Sequence, residues 1–160
     1  KNLVEAGVAE DLEASWVPSY GPEMRGGTAN CTVILSDERI GSPLVESPTE
    51  IIVMNRPSLA KFEGDVVPGG TVFVNSSIVH DKVSRTDVKV VYVPCDDIAK
   101  ELGNPKVGNM VMLGAYVAAT GVLKKETIEH MITEMFTGKK AKLVPLNMEA
   151  LNRGMACIAQ

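Results

Sequence analysis

The sequence predicts an α/β fold of three layers, α/β/α, with helices on both faces of a mostly parallel or mixed sheet. Three observations predict it. Compact β-branched runs recur along the N-terminal part, helical patterns fill the gaps and the last third, and 160 residues of which 45% are hydrophobic suit one domain with a real core.

Taken in order, Lys1–Ala9 reads as the tail of a helix. Glu13–Pro18 reads as a short strand and Ala29–Ser36 as a longer one. In the latter, Cys31, Val33 and Leu35 alternate with Asn30, Thr32 and Ile34, which predicts one wetter face. Ile51–Met54, Thr71–Asn75 and Val88–Pro94 are near-continuous apolar runs, the kind found in a sheet covered on both faces. Asp96 or Asp97 can cap a helix running to Leu102, and Gly103-Asn104-Pro105 stops it. The helix predicted over Lys106–Thr120 is rich in small residues (Gly114, Ala115, Ala118, Ala119) and should pack closely. Ile128, Met131, Ile132, Met135 and Phe136 recur at helix spacing, opposite Glu126, Glu129, His130 and Glu134. Pro145 can open the last helix, whose stripe would be Met148, Leu151 and Met155. No internal repeat or domain-sized linker interrupts this order, so residues 1–160 read as a single Rossmann-like domain.

Bulk properties narrow the function. A net charge of −4 argues against a general nucleic-acid or anionic-membrane surface, and Gly138–Lys142 ("GKKAK") reads as a solvated loop. The cysteines, Cys31, Cys95 and Cys157, are scattered and odd in number, which fits a reducing cytoplasm. They form no CxxC or Cys/His cluster to hold zinc or iron–sulfur within this chain. The most apolar segment, Met110–Gly121, is shorter than the roughly 20 residues a membrane span needs. The chain opens on Lys1 in what already reads as helix, so a leading segment is expected upstream.

In an open α/β sheet, ligands collect beyond the carboxyl ends of the strands. The predicted strands end in Ser19-Tyr20, Asn55-Arg56, Asn75-Ser76-Ser77 and Cys95-Asp96, although loops are commonly polar anyway. The loop Tyr20–Gly27 carries more information. Gly26-Gly27 can aim bare N–H groups at an anion, Arg25 offers a planar charged fork, and Tyr20 with Pro22 forms an apolar shoulder. A rigid surface turn with Glu23 and Arg25 paired to each other is an equally good account. Lys106 and Asn109 stand at the start of the buried helix, where free N–H groups favour an anion; simple capping by Asn104 explains the same segment. His80 and His130 read as solvated and Cys95 as a buried structural thiol. No GxxxxGK[ST] or GxGxxG is present.

Four segments carry a resemblance: "PSYGPEMRGGTANCTVILSDERIGSPLV" (Pro18–Val45), "VVPGGTVFVNSS" (Val66–Ser77), "ELGNPKVGNMVMLGA" (Glu101–Ala115) and "TGVL" (Thr120–Leu123). Together they closely resemble the gamma subunit of 2-oxoacid:ferredoxin oxidoreductases, from about Ser15 onwards. The wording of the first loop is more like the 2-oxoglutarate type than the pyruvate type. Family members begin with a strand and a GxGGQG loop before the helix that opens this chain, and those residues are absent here. The resemblance implies a non-autonomous subunit of an enzyme that oxidatively decarboxylates a 2-oxoacid to an acyl-CoA and passes electrons to ferredoxin. It implies thiamine diphosphate between alpha and beta subunits, and iron–sulfur clusters in beta and in a ferredoxin-like delta subunit. It implies a CoA-facing role for this chain: Arg25, Gly26 and Gly27 at a phosphate, Asn109 and Lys106 lining the same crevice, Tyr20 and Glu23 beside them. No residue of this chain is expected to be catalytic or to bind metal. Two other readings stay open: a non-catalytic assembly module whose loop only docks a partner, and a nucleotide-binding domain of another oxidoreductase.

Overall fold

The computed structural model describes residues 1–19 and 30–158. Five strands form where the β-branched runs stand: Glu13–Ser19 (β1), Asn30–Ser36 (β2), Glu50–Val53 (β3), Thr71–Asn75 (β4) and Lys89–Val93 (β5). Six α-helices accompany them: Asn2–Ala9 (α1), Arg56–Phe62 (α2), Cys95–Glu101 (α3), Gly108–Thr120 (α4), Lys125–Met135 (α5) and Val144–Ala156 (α6). They divide into two compact units, one of residues 1–46 with 123–131, the other of 47–122 with 132–160.

In the first unit β1 and β2 pair with each other, antiparallel, from Glu13↔Ser36 to Ser19↔Asn30. They form a separate two-stranded ribbon. The helix α1 packs so close to it that a Cβ on Gly7 would strike the Leu35 side chain. The Glu10 carboxylate accepts the Lys124 N–H at 2.9 Å, tying down the lead-in to α5. The alternation predicted for β2 does not become a dry face and a wet face. Cys31 is exposed and its neighbours along the strand are half-buried, because a two-stranded ribbon seals neither side by itself.

In the second unit β3, β4 and β5 form a parallel sheet in that order. The middle strand is buried from Val72 to Asn75, while the edge strands leave Ile52 and Tyr92 exposed. Val53, Val72 and Val74 pack with Leu59, Val66 and Val79 on one face. On the other face Phe73 meets Tyr116 of α4, ring centroids 5.3 Å apart. Successive strand residues point to opposite faces, so the sheet is the middle of three layers, as the sequence predicts. The β4–β5 crossover is a loop rather than a helix. The Glu63 carboxylate fastens it, accepting from the Ser84 N–H, the Ser84 hydroxyl and the Arg85 N–H. The Arg85 guanidinium donates in turn to the Glu63 and Val66 carbonyls and to the Asp87 carboxylate.

Helix ends and faces depart from the sequence reading in four places. Pro94, not an aspartate, stands at the N-cap of α3. The Asp97 N–H is satisfied from outside the helix by the Ser77 hydroxyl at 3.0 Å, leaving Asp96 and Asp97 in the first turn, where acids suit the dipole. The Lys106–Thr120 helix begins as a 3₁₀ turn over Pro105–Val107 and becomes α-helical at Gly108. The buried side of α6 is Asn147, Ala150, Leu151 and Gly154, with Met148 and Met155 only half-buried. The cause is the α4–α6 crossing: a Cβ on Gly114 would overlap the Leu151 carbonyl oxygen, and one on Gly154 the Val111 carbonyl oxygen. On α5, Ile128 and Ile132 are buried but Met135 is exposed.

Candidate functional site

The parallel strands deliver a polar cluster beyond their carboxyl ends. Asn75, last residue of β4 and fully buried, donates from Nδ2 to Asp96 at 3.3 Å. Its Oδ1 accepts the Ser77 N–H at 3.3 Å. Asp96 lies in the first turn of α3, and its Oδ1 sits 3.1 Å from where a Cβ on Gly108 would be, at the start of α4. A Cβ there would be a tight fit against this carboxylate, which would have to give by a few tenths of an ångström. Two of the residues predicted from sequence belong to the same region. Lys106 lies in the 3₁₀ turn that leads into α4 and Asn109 in its first turn; both are exposed.

The start of α4 is largely served by its own side chains. Asn104 Oδ1 accepts the Lys106 N–H at 2.9 Å, so the capping account of Asn104 holds. Asn109 Oδ1 accepts the Met110 N–H, also at 2.9 Å. Lys106 and Asn109 are exposed donors, and the Asp96 carboxylate is an acceptor close to Gly108. The arrangement can bind a group that both accepts and donates hydrogen bonds, and Lys106 supplies its cation.

Tyr20, Glu23, Arg25, Gly26 and Gly27 fall in 20–29, outside the described residues. What precedes and follows them is described: Ser19 and Asn30, the last cross-strand partners of β1 and β2. Those two flanking residues belong to the first unit, whereas Lys106 and Asn109 belong to the second.

Cysteine and histidine chemistry is muted. Cys95 is buried; that burial, then the neighbouring Asp96 charge, pushes its thiol up to about 12. Burial also raises Cys157, whose Sγ donates to the Arg153 carbonyl. A nucleophilic cysteine needs a thiolate near neutral pH, and these surroundings work against one. His80 is exposed in the loop after β4. Among the described residues no three His, Cys, Asp or Glu side chains gather in a way that could hold a metal ion, and no helix is long and apolar enough to cross a membrane. One further hollow, open and about 390 Å³, lies beside α2 and is lined by both charge signs, Arg56 and Lys82 against Glu63 and Asp81; Arg56 and Asp81 are ion-paired. Asn75 and Asp96 stood out in the sequence only as polar strand ends. A buried asparagine finishing a β-branched run was the signal that could have singled them out.

Known proteins share this fold and much of this sequence. The ketoisovalerate oxidoreductase subunit VorA of Methanothermobacter marburgensis is 39% identical over 154 residues, covering 95% of this chain and 32% of that protein. The chain thus spans about a third of the length of that relative. The 2-oxoglutarate synthase subunit KorC of Methanocaldococcus jannaschii is 36% identical over 131 residues, covering 81% of this chain and 70% of its own. Among solved structures, the gamma subunit of keto/oxoacid ferredoxin oxidoreductase from Geobacter sulfurreducens superposes with a TM-score of 0.82 at 28% identity, over 99% of this chain and 88% of that one. The 2-oxoglutarate:ferredoxin oxidoreductase of Magnetococcus marinus, solved with 2-oxoglutarate, coenzyme A and succinyl-CoA bound, shares the fold with a TM-score of 0.88 at 20% identity. It covers 99% of this chain and 28% of that one. The chain belongs to the pyruvate ferredoxin/flavodoxin oxidoreductase family, which it matches over residues 1–157.

Proposed function

We propose that this chain is the gamma-type domain of a multisubunit 2-oxoacid:ferredoxin oxidoreductase, a cytoplasmic enzyme that oxidatively decarboxylates a 2-oxoacid to an acyl-CoA. The observation that carries the reading is the family match over residues 1–157. The companions are alpha and beta subunits with thiamine diphosphate between them, a ferredoxin-like delta subunit, iron–sulfur clusters in beta and delta, and ferredoxin as acceptor. Among 2-oxoacids, the loop wording favours 2-oxoglutarate, and the KorC relative supports it. The VorA relative favours a branched-chain 2-oxoacid, so both substrates belong in the assay.

This chain's part is to hold coenzyme A. CoA carries several negative charges, and a protein of net charge −4 must meet them with local cations and free N–H groups. Arg25, with the amides of Gly26 and Gly27, is assigned to a phosphate. Lys106 and Asn109 supply donors at the start of α4, and Tyr20 and Glu23 are the weaker members of the set. Asp96 bears on this assignment. A carboxylate close to Gly108 repels a phosphate placed directly on the α4 terminus, so Lys106 would meet an anion from the outer side and Asn109 a neutral part of the ligand.

The test is Arg25→Ala in the assembled enzyme. Loss of a charge-assisted hydrogen bond of about 1.5–3 kcal/mol weakens apparent CoA affinity roughly ten- to 150-fold. Acyl-CoA formation is followed for both 2-oxoacids against CoA concentration. An unchanged CoA dependence removes the loop from ligand binding and leaves the assembly role.

A further inference from the structure

The β1–β2 ribbon has an apolar face whose two ends differ. Cross-strand partners lie on the same side of a ribbon, so Ala14, Trp16 and Pro18 share a face with Leu35, Val33 and Cys31. None of the six is charged. The helix α1 covers the Ala14–Leu35 end, with Gly7 against Leu35. Among the described residues the opposite end is more open. Trp16, the chain's sole tryptophan, is 41% exposed, and Cys31 is exposed beside it. The same unit shows Val8, Val17, Leu44 and Val45 to solvent, which makes five of the nine large exposed hydrophobics among the described residues, although it is the smaller unit.

An exposed indole on a ribbon is poorly explained by the chain's own packing. A two-stranded ribbon is marginal in water and gains from cover on its open face. Tryptophan supplies large apolar area at low entropic cost and is enriched among the residues that dominate binding. Its N–H is a donor only, and it makes no hydrogen bond among the described residues. The matching surface is therefore apolar with one hydrogen-bond acceptor. The VorA relative indicates whose surface it is. There, the counterpart of this chain is 32% of one polypeptide, so about twice as much further protein accompanies the same domain. The match to that relative covers 154 residues, so the remainder of it is the candidate companion.

We propose that the Trp16–Cys31 end of the ribbon docks an apolar surface of a different subunit of the same enzyme, the counterpart of the further chain in the longer relative. This rests on the multisubunit reading above. The ribbon is then held by α1 at one end and by the companion subunit at the other.

The sole tryptophan is the reporter. The chain labelled with 5-fluorotryptophan gives a single ¹⁹F resonance, compared in the free chain and in the enzyme rebuilt with unlabelled companion subunits. The expected result is a moved resonance that loses its H₂O/D₂O isotope shift on assembly. A complex that forms with the resonance unmoved overturns the docking surface alone; failure of any companion subunit to bind overturns both it and the multisubunit reading. A resonance that moves with concentration in the free chain assigns the surface to a second copy, and one that moves on adding CoA alone assigns it to the ligand; either overturns the proposal. Cys31→Glu gives a second measurement. A charge forced into an apolar contact should lower recovered companion subunit at least about tenfold, while the free chain's melting temperature is unchanged. Recovery at the wild-type level overturns the proposal.

Discussion

Single residues fasten the crossover that follows β4, and Glu63 carries most of that duty. The Ser84 hydroxyl, then the N–H groups of Ser84 and Arg85 and the Arg85 charge, hold the Glu63 carboxyl below its ordinary value of 4.5, against a smaller upward push from burial. A carboxyl lowered by folding stabilises the protein above its unfolded value and loses that contribution as pH falls through the folded one. Glu63→Gln removes the charge but keeps an amide oxygen. The melting-temperature gap between the parent and this variant should be widest at neutral pH and close as pH falls below 4.5. The neighbouring Asp87 carboxyl, lowered chiefly by its hydrogen bond from Arg85, is present in both proteins, so its own titration cancels. A gap that stays constant down to strong acid would show that Glu63 acts by shape rather than charge. Buried residues here have the opposite character. Asn75 spends its amide inside the cluster, and Cys95 is kept as a neutral thiol.

Elements meet most closely where α4 crosses α6, and two glycines make that approach possible. Alanine is favoured over glycine inside a helix by about 1 kcal/mol. At Gly154 the added methyl group would meet the Val111 carbonyl oxygen, a backbone atom that cannot turn aside. Overpacking of this kind costs typically 1–3 kcal/mol or more, so the steric loss wins. Gly154→Ala is expected to lower stability by about 1–2 kcal/mol net, measured as a fall in the urea midpoint at unchanged slope. Gly114→Ala should act alike. The double variant should cost less than the sum, because both changes force apart the same crossing. The same contact shows which elements were legible in the sequence. Strands and helices declared themselves through apolar runs and helical spacing, and five strands stand within a residue or two of their predicted positions. The buried face of α6 did not, since a count of apolar residues passes over glycine and asparagine. The pairing of β1 with β2 was hidden for a different reason: a run of alternating residues does not name its partner. Of the site, Lys106 and Asn109 were legible as helix-start residues. The role of Asp96 was not, because it depends on the space left by Gly108, twelve positions further along.

At the scale of the whole molecule, the question is which chemistry this chain can perform unaided. Oxidative decarboxylation of a 2-oxoacid requires stabilising the carbanion left when CO₂ departs and then removing two electrons. An electron-sink cofactor and redox centres do this; ordinary side chains do not. The chain has three cysteines, of which Cys95 and Cys157 have raised thiol pKa values, and its described residues gather no metal-holding group. Under the proposed function it contributes donors for an anionic ligand and, by the proposed docking, a face on the β1–β2 ribbon for a neighbour. The purified chain alone should therefore show no 2-oxoacid-dependent reduction of a viologen dye, with or without added thiamine diphosphate and CoA. The rebuilt assembly should show dye reduction and acyl-CoA formation that both depend on the presence of this chain. Dye reduction by the lone chain would place a redox centre within it. An assembly whose rate and CoA dependence are unaltered when this chain is left out would remove it from CoA handling, whatever its place in the complex.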